Sequence, residues 1–89
     1  MKAIVTVVGK DQVGIIAAVC VKLAEFNVNV LDISQTVMQG YFTMMMVVDV
    51  SGCAKPLAEL VGIMEEMGKE RGLSIRLQRE DIFEAMHRI

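Results

Sequence analysis

The chain has 89 residues, 54% of them apolar, two cysteines, one histidine and a formal net charge of −2. That length suffices for one small domain with one core. The faintly acidic balance and the lack of any basic block remove the electrostatic reason to expect nucleic acid or an anionic membrane as partner.

Lys2 to Val8 is rich in β-branched residues and reads as a strand. Both of its faces are apolar, Ile4 and Val8 on one and Ala3, Val5 and Val7 on the other, so a central strand is expected. Val13 to Phe26 reads as a helix with Ile16, Ala17, Cys20, Leu23 and Ala24 on its core face, and with Ile15 and Val19 outside that stripe. Val28 to Met38 is the second strand. Leu31, Ile33 and Val37 alternate with Asp32, Ser34 and Thr36, the pattern of a sheet with one covered face. Gln39-Gly40 is a hairpin signal, and Tyr41 to Val50 follows as a third strand, again apolar on both faces.

Ser51 to Lys55 forms a loop, and Pro56 suits the first turn of a second helix. Leu57, Leu60, Val61, Met64 and Met67 mark the core face of that helix, and Gly72 is placed to end it. Leu73, Ile75 and Leu77 alternate with Ser74, Arg76 and Gln78 in a fourth strand. The tail from Asp81 to Ile89 suits a short helix with Ile82, Ala85, Met86 and Ile89 on one side. No linker or low-complexity segment divides residues 1–89, so one domain is expected. The order βαββαβ, with right-handed crossovers, predicts an α+β, ferredoxin-like fold: a four-stranded antiparallel sheet with both helices on one face. Strands 1 and 3 are central in that arrangement, in agreement with their two apolar faces.

The stretch "VVGKDQVGIIAAV", Val7 to Val19, joins a strand to a helix through Gly9 and Gly14. It matches the GxxxxG half of a phosphate-binding loop, but Ile15-Ile16 stands where Lys and Ser or Thr are needed, which argues against nucleotide. Gly14 also suits plain helix–sheet packing, and Asp11 plain helix capping. An amino acid fits the chemistry better. Free N–H groups at Gly14, Ile15 and Ile16 favour a carboxylate, Asp11 offers a partner for an ammonium, and Asn29 has a donor and an acceptor to fix orientation.

"DQVGI", with Asp11 and Gly14, and "NVNVLDI", with Asn29, resemble the ACT domain, and the likeness runs from strand 1 to strand 4. It is nearest to stand-alone bacterial ACT proteins and to the glycine-cleavage-system repressor group. Val13 stands where proline is frequent. The resemblance implies a regulatory module that binds an amino acid through the first loop and the start of strand 2, here Asp11, Gly14, Ile15, Asn29 and Val30. It also implies pairing side by side through strand 2 and helix 1, or across sheet faces.

Nothing else in the chain competes for chemistry. His87 has no paired nucleophile or second ligand. Cys20 reads as core packing and Cys53 as a loop residue, and they form no CxxC or zinc pattern. Met44 and Met46 read as core and Met45 as the opposite face, and Glu65, Glu66, Lys69 and Glu70 as a solvated helix face. The third strand lacks the basic and aromatic residues of an RNA-reading sheet. No apolar run approaches the roughly 20 residues of a membrane span, and the start of the chain reads as a strand, not a leader.

The expectation is a cytosolic, non-catalytic module without cofactor or metal. It binds a small amino acid as a homodimer, and its partner is an enzyme or regulator. The alternative is a structural dimerisation or protein-interaction module with a vestigial ligand site. The high apolar content of so small a domain favours surface that a partner covers.

Overall fold

A computed structural model of the chain describes residues 1–86. Its elements are β1 (Lys2–Lys10), α1 (Ile15–Glu25), β2 (Asn29–Met38), β3 (Tyr41–Asp49), α2 (Leu57–Arg71), β4 (Ser74–Arg79) and α3 (Glu80–Met86). The strands form one antiparallel sheet in the order β2-β3-β1-β4. This is the expected ferredoxin-like architecture. The short tail helix is present, but the side chains of Ala85 and Met86, and Ile89 and His87 altogether, lie outside the described residues. No helix among the described residues is long and apolar enough to cross a membrane.

The two doubly apolar strands are central. β1 and β3 pair along their whole lengths, from Lys2 opposite Asp49 to Lys10 opposite Tyr41. One face of this pair carries Ala3, Val5 and Val7 with Phe42, Met44, Met46 and Val48, all buried. α1 and α2 cover that face, adding Ile15, Val19 and Leu23 from the first and Leu60, Met64 and Met67 from the second. α3 lies against β1 and β4. Ile4, on the sheet face turned away from α1 and α2, is buried as well.

Two expectations change. The core stripe of α1 is Ile15, Val19 and Leu23, at i, i+4 and i+8. Ile16 and Cys20 are half-buried at its side, while Ala17 and Ala24 are exposed. Burial of bulky branched side chains removes more apolar area from water than burial of alanine, so this rotation of the helix is the favoured one. β2 is also uncovered. Leu31, Ile33 and Val37 are exposed because the strand lies at the sheet edge. A register shift between Val30 and Asp32 places Ile33 and Val37 opposite Met46 and Phe42, on the helix side of the sheet.

Both covering helices end in the same way. Asn27 and Gly72 take left-handed conformations, φ 59° and 71°. The following amides reach back, Val28 N–H to the Leu23 carbonyl at 3.0 Å and Leu73 N–H to the Gly68 carbonyl at 2.7 Å. These are Schellman motifs, and each aims the chain straight into the next strand.

The α2 glycines separate two effects. A Cβ at Gly62 meets nothing within 4 Å, whereas one at Gly68 would lie 2.7 Å from the Leu73 carbonyl oxygen. Gly62→Ala is expected to stabilise the fold by about 0.5–1 kcal/mol, the helix propensity difference. Gly68→Ala is expected to destabilise it by about 1–3 kcal/mol through overpacking. Urea denaturation of the two variants checks both signs.

Candidate functional site

The first loop is built from backbone geometry. β1 ends at Lys10, and the Asp11 N–H donates to the Gly40 carbonyl at 2.8 Å, which ties the loop to the β2–β3 hairpin turn. That turn consists of Gln39 and Gly40, both at positive φ. The Gln12 side-chain amide donates to the Arg71 carbonyl at 3.1 Å, so the far end of α2 braces the loop from the other side. Val13 between these braces is fully exposed.

Gly14 is the N-cap of α1, at φ 86° and ψ 9°. The first helical hydrogen bond runs from the Ala18 N–H to the Gly14 carbonyl at 2.9 Å. No side chain caps the helix, and its first turn holds no acidic residue. The leading N–H groups are therefore unspent by side chains, and the positive end of the helix dipole is uncompensated. The Asp11 carboxylate is exposed and has no partner among the described hydrogen bonds and ion pairs. The Ile15 side chain is core, so that residue can offer a ligand only its backbone.

A side chain at Gly14 would strain the backbone rather than collide with anything: its Cβ meets nothing within 4 Å, but φ is +86°. The cost is about 1–2 kcal/mol from the left-handed conformation alone.

The five sequence-predicted residues fall into two groups. Asp11, Gly14 and Ile15 sit together at the sheet end where Lys10, Tyr41 and Met38 align. Asn29 and Val30 begin β2 at the other end, where Asn29 pairs with Asp49. Tyr41 and Asp49, at the two ends of β3, stand roughly 27 Å apart at about 3.4 Å per residue. One copy of the chain therefore does not bring the two groups together. Asn29 itself is exposed, and Val30 is half-buried against the core.

The neighbour of Asn29 carries a structural role that the sequence reading missed. Asn27 supplies the left-handed turn after α1, and its side-chain amide donates to the Gly52 carbonyl at 2.9 Å. The available signal was an asparagine just past a helix end, the usual substitute for glycine at that position. At the same sheet end Asp49 accepts the Ser51 N–H at 2.9 Å and faces the Met1 ammonium at 3.6 Å. Hydrogen bonds from the Ser51 hydroxyl and amide hold its carboxyl below the usual carboxylate range.

Comparison with known proteins agrees with the fold. Residues 2–78 match the ACT domain. A UPF0237 protein of Bifidobacterium longum is 58% identical over 88 residues, which cover 99% of this chain and 98% of that protein. An ACT domain protein from Streptococcus pneumoniae superposes with a TM-score of 0.82 at 48% identity, over 98% of both chains. A glycine cleavage repressor-like protein superposes with a TM-score of 0.74 at 20% identity, over 88% of this chain and 44% of that one, which speaks for the shared fold alone. The sheet order, the glycine-capped first helix and near-full-length relatives at this identity lead to one conclusion: the chain belongs to the ACT domain family.

Proposed function

We propose that the protein is a cytosolic, non-catalytic regulatory module that binds a small amino acid and modulates a partner enzyme or regulator. The observation that carries this reading is the start of α1. Its amides are uncapped by any side chain, and the unpartnered Asp11 carboxylate is in the same loop. Unpaired N–H groups suit a carboxylate, and Asp11 suits an ammonium. A phosphate would meet the Asp11 charge as a repulsion.

The working unit of this proposal is a homodimer joined at β2. That edge strand exposes Leu31, Ile33, Val37 and Met38 and contains no lysine, arginine or proline to discourage pairing. The opposite edge, β4, carries Arg76 and Arg79. A second copy that adds its own β2 antiparallel about a two-fold axis extends the sheet and keeps both helix layers on one side. The start of β2 in one copy then lies beside the end of β2 in the other. Asn29 of the second copy thereby approaches the hairpin turn to which Asp11 is tied. The 27 Å separation within one chain becomes a reason for two chains. Ligand occupancy would also strengthen the dimer, since only the pair offers both halves of the site.

A structural dimerisation module with a vestigial ligand site is the second reading. The exposed β2 edge favours it, because that surface calls for a cover with or without a ligand.

Calorimetric titration with a panel of amino acids separates the two readings. Binding of one or a few small members is expected, and silence across the panel would leave the dimerisation module standing. Asp11→Ala should weaken the observed binding about tenfold or more, the worth of one charge-assisted hydrogen bond. Asn29→Ala should weaken it as well. Affinity unchanged in both variants would move the ligand elsewhere.

The pairing geometry has its own check. Side chains repeat with period two, so the two-fold axis passes through Ile33 or through Ser34. In a background with Cys20→Ser and Cys53→Ser, one of Ile33→Cys and Ser34→Cys should form an intermolecular disulfide under mild oxidation. The Cα spacing of about 4.5–5.5 Å across an antiparallel pair permits the bond. A monomer at micromolar concentration, with neither crosslink formed, would end the dimer proposal.

A further inference from the structure

The last four carbonyls of a helix lack donors within it. In α2 they belong to Gly68, Lys69, Glu70 and Arg71. The Leu73 and Gly72 amides donate to the first two, at 2.7 and 3.3 Å. The Arg71 carbonyl is met from 59 positions away in the chain, by the side-chain amide of Gln12 at 3.1 Å.

The strand that leads into the first loop touches the same place. A Cβ on Gly9 would stand 2.5 Å from the Leu73 side chain and 3.4 Å from the Gly72 carbonyl oxygen. The end of β1 therefore lies directly against the turn from α2 into β4, and only a residue without a side chain fits there. Asp11 is fixed by its own N–H bond to the Gly40 carbonyl. Gln12 thus bridges two anchored points, the β2–β3 turn on one side and the end of α2 on the other. It is one residue from Asp11 and two from Gly14.

An amide side chain suits this place. The end of a helix carries partial negative charge, which attracts an N–H donor and would repel a carboxylate. Water competes for both partners of an exposed bond, so its contribution to global stability is small. Its effect is local, because it makes the order of the loop and the order of the helix end depend on each other.

We propose that Gln12 is a positioning residue that latches the first loop to the α2–β4 junction, so that order imposed on one is felt at the other. The inference deepens the reading of that loop as an amino-acid site and rests on it for its regulatory meaning. An occupant of the loop tightens the junction through the latch. The latch in return holds Asp11 and the start of α1 in place for the occupant. The junction opens β4, the sheet edge opposite β2, so the state of the loop reaches the side of the domain away from the β2 edge.

Amide hydrogen exchange on the full chain, without any amino acid, tests the latch. Asp11 reports on the loop, and Gly72 and Leu73 report on the junction. Val5 and Met46, paired in the central strands, report on global opening. Gln12→Met keeps the length of the side chain and removes the donor, Gln12→Glu puts a negative charge in its place, and Gln12→Lys restores a donor. Exchange at Asp11, Gly72 and Leu73 is expected to rise together in Gln12→Met, by about threefold to tenfold, the effect of one hydrogen bond. It should rise further in Gln12→Glu and stay near its original rate in Gln12→Lys, with Val5 and Met46 unchanged throughout. Rates that ignore the three variants, rise equally in all three, or rise on one side of the latch only would overturn the proposal. Each amino acid that binds in the calorimetric panel should also slow exchange at Gly72 and Leu73 in the unaltered chain and leave it unchanged in Gln12→Met. A bound amino acid that does not reach those amides would overturn it as well. A silent panel sinks the ligand reading alone, and the exchange rates of the amino-acid-free chain still decide the latch.

Discussion

Full-length antiparallel pairing of β1 with β3 is the constraint on which the rest of the molecule depends. It sets side by side two strands that are apolar on both faces, and so creates the broad surface that the two helices cover. It also fixes which loops meet. β1 runs toward the β2–β3 turn, so the first loop must end beside Gly40, and a single backbone hydrogen bond locks it there. The position of the candidate site is thus a consequence of strand order.

The same order leaves β2 with one paired edge and one bare edge. α1 turns Ile15, Val19 and Leu23 toward the central strands and leaves Ala17, Val21 and Ala24 to water. The surplus apolar area therefore collects at one margin of the sheet and on the outer side of α1. The high apolar fraction of the sequence is thus spent partly on exposed surface and not on the core alone.

Much of this was legible in the residues. The hairpin at Gln39-Gly40, the stop at Gly72, the central strands and the face of α2 all carry local signals with one physical meaning. The α1 face did not. In "IIAAVCVKLA", Ile15, Val19 and Leu23 compete with Ile16, Cys20 and Leu23, and periodicity cannot rank two overlapping stripes that share a residue. The exposure of β2 was hidden for a different reason. Alternation reveals which residues share a side, but whether that side is covered depends on where the strand sits in the sheet. The two halves of the candidate site could be named from the family resemblance, yet their placement at opposite ends of β2 and β3 appears only with the register. Asn27 carries only a local signal, an asparagine just past a helix end, and its left-handed turn falls two residues before the Asn29 that the resemblance marks.

The run Met44-Met45-Met46 carries a chemical consequence. Strand alternation puts the outer two sulfurs in the sealed interior and leaves the middle one 40% exposed on the other face. Three identical, adjacent side chains thus fall into two classes of reactivity. A mild peroxide reaches Met45, and reaches Met38 on the bare edge strand, long before it reaches the buried pair. Sulfoxide at Met44 or Met46 would therefore record a moment when the sheet had parted from its helices. β3 carries its own gauge of how often the domain opens, written in the oxidation state of neighbouring residues.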